Sequence, residues 1–214
     1  MKNNMTELVF ILDESGSMYD LQKDTIGGFN SMISKQKELE GKCFVTTVLF
    51  NTNQKMVHDR EELENIYLMS LNDYNPGGCT ALMDALGDTI MHIEKIHKYI
   101  RKEDVPSKTL FVIMTDGYEN ASHKYNTRDI NRKINQCKKE YDWEFMFIGA
   151  NIDSEEIAKA YGVDQDMAVN YHADSKGTEV VYSSINHAVQ NLRKNRKISK
   201  GWNDKIKKDY ESRK

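Results

Sequence analysis

Apolar residues along this chain of 214 residues fall into two kinds of pattern. Five short runs are nearly continuous and rich in β-branched or aromatic side chains: Leu8–Leu12, Phe44–Phe50, Thr109–Thr115, Trp143–Gly149 and Met167–Tyr171. Runs of this length predict strands buried on both faces, because a strand with one wet face alternates instead. A smaller run, Lys55–His58, follows the second after only Asn51-Thr52-Asn53. So tight a link predicts a hairpin, and hence an antiparallel edge strand.

The second pattern has helical spacing. Ile26, Phe29 and Ile33 form one stripe, and Leu82, Leu86, Ile90, Ile93, Ile96 and Ile100 a longer one. Ile130, Ile134, Cys137 and Tyr141 make a third; Val181, Ile185, Ala188 and Leu192 make a fourth behind a cap at Asp174 or Ser175. Strands alternating with helices imply parallel pairing through right-handed crossovers. The expected fold is doubly wound α/β: a mostly parallel six-stranded sheet with one antiparallel edge strand and helices on both faces.

Composition sets limits on this picture. With 39% apolar and 29% charged residues the chain has the makings of one globular core. No stretch approaches the ~18 consecutive apolar residues of a membrane span, and Met1 to Glu7 is short and polar. Cys43, Cys79 and Cys137 are odd in number and widely spaced, which argues against a disulfide framework or a zinc site. A cytoplasmic protein is expected. Charge is uneven: residues 193–214 carry ten Lys/Arg against three Asp/Glu, a net of +7, which leaves −10 for the rest of a chain whose total is −3. The acidic body argues against general nucleic-acid binding, and residues 193–214 read as a solvated basic tail.

Doubly wound sheets hold ligands at the carboxyl ends of their strands, so the residues just after each strand matter most. The first strand is followed by Asp13-Glu14-Ser15-Gly16-Ser17-Met18, where a carboxylate and two hydroxyls alternate around a flexible glycine. The third long strand runs into Thr115-Asp116-Gly117, and Pro76-Gly77-Gly78-Cys79-Thr80 precedes the longest helical stripe. Each loop alone suits an ordinary turn or helix cap. Together they offer oxygen ligands only, which suits a hard cation such as Mg²⁺, bound at about 2.1 Å.

In these residues the chain resembles the von Willebrand factor A domains, and the resemblance covers residues 6–192. That family's metal-ion-dependent adhesion site is an Asp-x-Ser-x-Ser after the first strand, a Thr in a glycine-bearing loop, and an Asp after the fourth. Asp13, Ser15, Ser17, Thr80 and Asp116 fill those positions in order. Phe10-Ile11-Leu12-Asp13, Gly77-Gly78-Cys79-Thr80-Ala81-Leu82 and Met114-Thr115-Asp116-Gly117 are similar to the family too. The resemblance implies Mg²⁺ or Mn²⁺ on the hydroxyls and aspartates, completed by a partner's Asp or Glu. Intracellular members that work with AAA-type ATPases suggest one kind of partner.

Charge counting gives the physical reason. Two aspartates neutralise the dication and the hydroxyls add nothing, so an anionic oxygen still finds an electrophilic metal. Glu14, Met18, Tyr19, Tyr118, Glu119 and Asn120 are expected around it as partner-binding residues, Tyr118 foremost. The expected function is a non-catalytic, metal-dependent protein-binding module. One alternative is a Mg²⁺-dependent phosphohydrolase with a strand-end aspartate as nucleophile. The dehalogenase-like enzymes of that kind place a second Asp two residues on, where this chain has Ser15, and no Gly-x-x-x-x-Gly-Lys phosphate loop occurs. The other alternative is a nucleic-acid or ribonucleoprotein-associated protein using the basic tail.

Overall fold

The computed structural model describes residues 3–213. Its elements run β1 Thr6–Asp13, α1 Gln22–Lys37, β2 Cys43–Phe50, β3 Gln54–Glu62, α2 Leu82–Tyr99, β4 Lys108–Thr115, α3 Thr127–Tyr141, β5 Glu144–Gly149, α4 Ser154–Tyr161, β6 Ala168–Asn170, α5 Ser175–Asn195 and α6 Asp204–Ser212. A short 3₁₀ segment, Gly16–Leu21, joins β1 to α1. The six strands lie in the order β3-β2-β1-β4-β5-β6. β3 is antiparallel to β2, and every other pairing is parallel. The fold is doubly wound α/β, as the alternation of patterns implied.

Period-two geometry divides the core. Leu8, Phe10 and Leu12 of β1 face one way, toward Phe29 and Ile33 of α1 and Val181, Ile185 and Val189 of α5. Val9 and Ile11 face the other way, with Leu86 and Ile90 of α2, Ile130 and Ile134 of α3 and Ala158 of α4. Both faces are dry, which explains why β1, β2 and β4 read as continuous apolar runs. β3 has a neighbour on one side only and is exposed or half-buried at every position but His58, so its sequence is charged.

Some boundaries differ from the sequence pattern. β3 is longer than Lys55–His58, β6 is shorter than Met167–Tyr171, and Ile100 lies just past the end of α2 in extended conformation. Asp174 is the α5 cap, its carboxylate accepting the Gly177 N–H at 2.7 Å. The helices α4 and α6 had no counterpart in the expected elements. The segment read as a solvated tail is folded as far as it is described. Arg193 is buried in α5, and Trp202 and Ile206 pack into the core beside β6. The Trp202 indole N–H donates to the Asp166 carbonyl at 3.0 Å. Its fused rings bury the apolar area that a charged segment otherwise lacks. Among the described residues no helix is long and apolar enough to cross a membrane.

The strand order reverses between β1 and β4. The chain winds outward from β1 toward β3, then returns and winds from β4 toward β6. Such a reversal opens a crevice above the carboxyl ends of its two central strands. Asp13 ends β1 there and Asp116 follows β4.

Candidate metal site

Parallel pairing of β1 with β4 brings the Asp13 and Asp116 loops to one edge of the sheet. Both aspartates are buried, at 1% and 3% exposure. Asp13 accepts the Ser15 backbone N–H at 2.7 Å on one carboxylate oxygen and the Thr115 hydroxyl at 2.6 Å on the other. The Ser17 hydroxyl donates to Asp116 at 2.6 Å, and its oxygen lies 3.1 Å from that of Ser15. A continuous hydroxyl chain therefore joins the two loops.

Backbone bonds bring the Thr80 segment against both. The Gly16 N–H donates to the Gly78 carbonyl at 3.2 Å, and the Gly77 N–H to the Glu14 carbonyl at 2.9 Å. Thr80 exchanges two bonds with Asn120: its N–H donates to the Asn120 side chain at 2.9 Å, and its carbonyl accepts the Asn120 N–H at 3.0 Å. Gly78 has φ of +74°, and a Cβ there would press on the Thr52 hydroxyl, so this turn requires glycine.

Electrostatically the site is short of positive charge. Among the described residues no Lys, Arg or His forms an ion pair with Asp13 or Asp116. Burial raises the pKa of Asp13 above its ordinary 3.8; bonds from Ser15 and Thr115 oppose this, and the charge of Asp116 adds to it. Burial likewise raises Asp116, opposed by the Ser17 bond. Among the described residues no three or more His, Cys, Asp or Glu are grouped to hold a metal. Any cation here is thus held with the help of hydroxyls. The donor set fits a hard divalent cation: two under-compensated carboxylates, two serine hydroxyls that already converge on them, and a threonine stitched alongside.

The six residues expected to meet a partner have separate fates. Tyr19 and Tyr118 stand out at 72% and 61% exposure. Met18 is a correction: at 1% exposure it packs in the core under α1, because the 3₁₀ segment turns it inward. Glu14 is buried and its carboxylate accepts the Asn75 N–H, fastening the loop before Thr80. Glu119 accepts N–H bonds from Met83, Ala121 and Ser122 and the Ser122 hydroxyl, at 2.7 to 2.9 Å, so it ties its loop to the start of α2. Asn120 is engaged with Thr80. Sequence reasoning passed over Thr115 and Tyr74, whose hydroxyls donate to the Asp13 carboxylate and carbonyl respectively. A hydroxyl just before the strand-end aspartate was the available signal for Thr115; Tyr74 had none.

No family model and no curated protein matches the chain. Solved structures do. The ArnB paralog VWA2 of Sulfolobus acidocaldarius is similar at 17% identity and a TM-score of 0.54, over 88% of this chain and 45% of that one. A von Willebrand factor type A protein from Catenulispora acidiphila gives 16% and 0.57, over 87% and 42%. Proximal thread matrix protein 1 of the mussel byssus gives 13% and 0.57, over 85% and 45%. The chain spans less than half the length of each. The neighbours from Sulfolobus acidocaldarius and Catenulispora acidiphila are von Willebrand factor A proteins, and the fold of this chain is of that kind.

Proposed function

We propose that this chain is a non-catalytic protein-binding module that grips a partner through a divalent cation. Mg²⁺ or Mn²⁺ would be held by Asp13, Ser15, Ser17, Thr80 and Asp116, and a partner's Asp or Glu carboxylate would complete its shell. The observation that carries this reading is the pair of buried carboxylates, joined by serine hydroxyls and facing no cationic side chain among the described residues, at the point where strand order reverses. A bound cation supplies the missing charge and a Lewis-acidic position. The residues contribute the rest: Thr115 and the Ser15 N–H fix Asp13, and Asn120 fixes Thr80. Exposed Tyr19 and Tyr118 supply partner contact beside the site.

Titration calorimetry with Mn²⁺ tests this. One site is expected in the wild type and none in Asp13→Ala, while Thr80→Ala weakens binding less, since a neutral ligand is lost. Undiminished binding by Asp13→Ala rules the assignment out. Absence of Mg²⁺-dependent phosphatase turnover beyond the Asp13→Ala control is the matching expectation for catalysis.

A further inference from the structure

Beside the Asp116 loop, on the α2 side of the sheet, lies a pocket of about 340 Å³. Two of the segments that carry candidate ligands help to build it. Gly117 follows Asp116 directly and lines one wall, and Leu82, two residues after Thr80, lines another. Phe147 of β5 and Tyr161 of α4 line it as well, with the exposed Tyr118 at its rim.

The lining is mainly apolar. Leu82, Phe147, Ile152 and Tyr161 are buried in the core on the α2 side, and the partly buried Met83 and Ile157 pack against them. Two of the polar side chains are already engaged. The Glu119 carboxylate accepts the four bonds described above, and the Thr127 hydroxyl donates to the Met83 sulfur at 3.8 Å. Tyr161 differs from both. It is 4% exposed, and its ring meets Phe147 edge to face with centroids 6.1 Å apart. Among the described residues its hydroxyl makes no hydrogen bond, yet the oxygen is not sealed in the core as those of Tyr171 and Tyr182 are. The pocket that Tyr161 lines is the opening left to it. Burial first, and then the charge of Glu119, raises the Tyr161 pKa, so the group stays protonated and able to donate.

An apolar pocket with a convergent hydrogen-bond donor is the usual form of a binding site, and at about 340 Å³ this one is near the small end of such pockets. That volume suits one large side chain. Its position selects the occupant. A segment whose Asp or Glu reaches a cation on Asp116 passes the pocket within a few residues, because Gly117 is only about 3.8 Å along the chain from Asp116.

We propose that this pocket receives a large apolar side chain, Leu, Met or Phe, standing within about four residues of the partner's acidic one, and that the Tyr161 hydroxyl donates to a main-chain carbonyl of the same segment. The acidic half of this motif rests on the metal-binding reading above; the apolar half rests on the pocket. A cation alone accepts any exposed carboxylate. A buried apolar anchor beside it supplies affinity and separates one acidic segment from another.

Short random peptides displayed on phage and selected on the full chain in Mg²⁺ test this. Binders released by EDTA are expected to share an Asp or Glu with a Leu, Met or Phe at a fixed spacing from it. In a synthetic copy of the strongest binder, changing that apolar residue to Ala is expected to weaken binding roughly thirtyfold, as for three buried carbons. Ala160 is exposed and lines the pocket, so Ala160→Phe fills it from outside the core. That variant is expected to bind the peptide about tenfold more weakly and Mn²⁺ like the wild type. Tyr161→Phe keeps the ring and is expected to cost the peptide about fivefold, the worth of one hydrogen bond; it decides the matter if Ala160→Phe does not fold. A peptide that binds both variants like the wild type overturns the proposal. So do EDTA-released binders without an apolar preference, or the absence of binders to a chain that takes up Mn²⁺. A wild type that binds no Mn²⁺ in calorimetry instead overturns the metal reading, and the proposal falls with it.

Discussion

The two ends of the sheet bury carboxylates on opposite terms. At the amino end Glu7 is 0% exposed; the His97 ring hydrogen-bonds one of its oxygens and the Arg60 guanidinium lies 3.3 Å from the other. Arginines from the basic C-terminal segment close the same end. Arg196 donates to the Met5 carbonyl at 2.9 Å and the Thr6 hydroxyl at 3.0 Å. Arg193 donates to the Gln36, Leu39 and Gly41 carbonyls around the end of α1, where the helix dipole favours positive charge. At the carboxyl end Asp13 and Asp116 receive, among the described residues, only hydroxyls and N–H groups. Leaving a buried charge unpaired costs several kcal/mol. A guanidinium faces Glu7, whereas among the described residues no cation faces these two, and that contrast is what the proposed metal site rests on.

The largest effect that can break this contrast lies at the amino end. Glu7→Ala leaves the partly buried Arg60 and His97 without their carboxylate, with an expected loss of about 3 kcal/mol, the lower range for breaking a buried pair. Chemical denaturation measures it directly; a loss under about 1 kcal/mol, the range of a surface pair, would contradict the buried pairing.

Asp116→Ala makes the opposite test. Its removal relieves repulsion between two buried carboxylates, so in EDTA the variant should melt at or slightly above the wild-type temperature. In Mg²⁺ at 100 times the dissociation constant the order should reverse, because the wild type gains about 2.7 kcal/mol from binding and the variant gains nothing. Melting curves with and without Mg²⁺ provide both comparisons. An Asp116→Ala protein that unfolds in EDTA would mean that this end too is structural.

The sequence made the two ends unequally legible. Asp13, Ser15, Ser17, Thr80 and Asp116 sit at strand ends or in a glycine loop, so local pattern and family resemblance located them. Glu7 sits inside an apolar strand, and its partners lie 53 and 90 residues away along the chain. Arg193 likewise acts on Gln36, 157 residues away, so its run of charge read as solvated tail. The helix α6 was hidden because Ile206 is its single buried residue, and α4 because it is only 8 residues long. What stayed illegible were roles that only tertiary contact defines.

The smallest expected effect separates neighbours on the rim of the site. Glu119 and Tyr118 are adjacent, and both were expected to face a partner. Glu119 accepts N–H bonds from Met83 in the first turn of α2 and from its own loop, so its carboxylate acts as a helix cap. Glu119→Ala should therefore cost about 1 kcal/mol of stability and weaken Mn²⁺ binding slightly, by loosening the loop that carries Asp116. Tyr118 is 61% exposed and its ring is free to serve an incoming surface. Tyr118→Ala should change stability by no more than about 0.5 kcal/mol and leave Mn²⁺ affinity unaltered. Denaturation and calorimetry on the two variants give four numbers. A Tyr118→Ala protein as destabilised as Glu119→Ala would show that the tyrosine braces the loop, and would remove it from the partner surface.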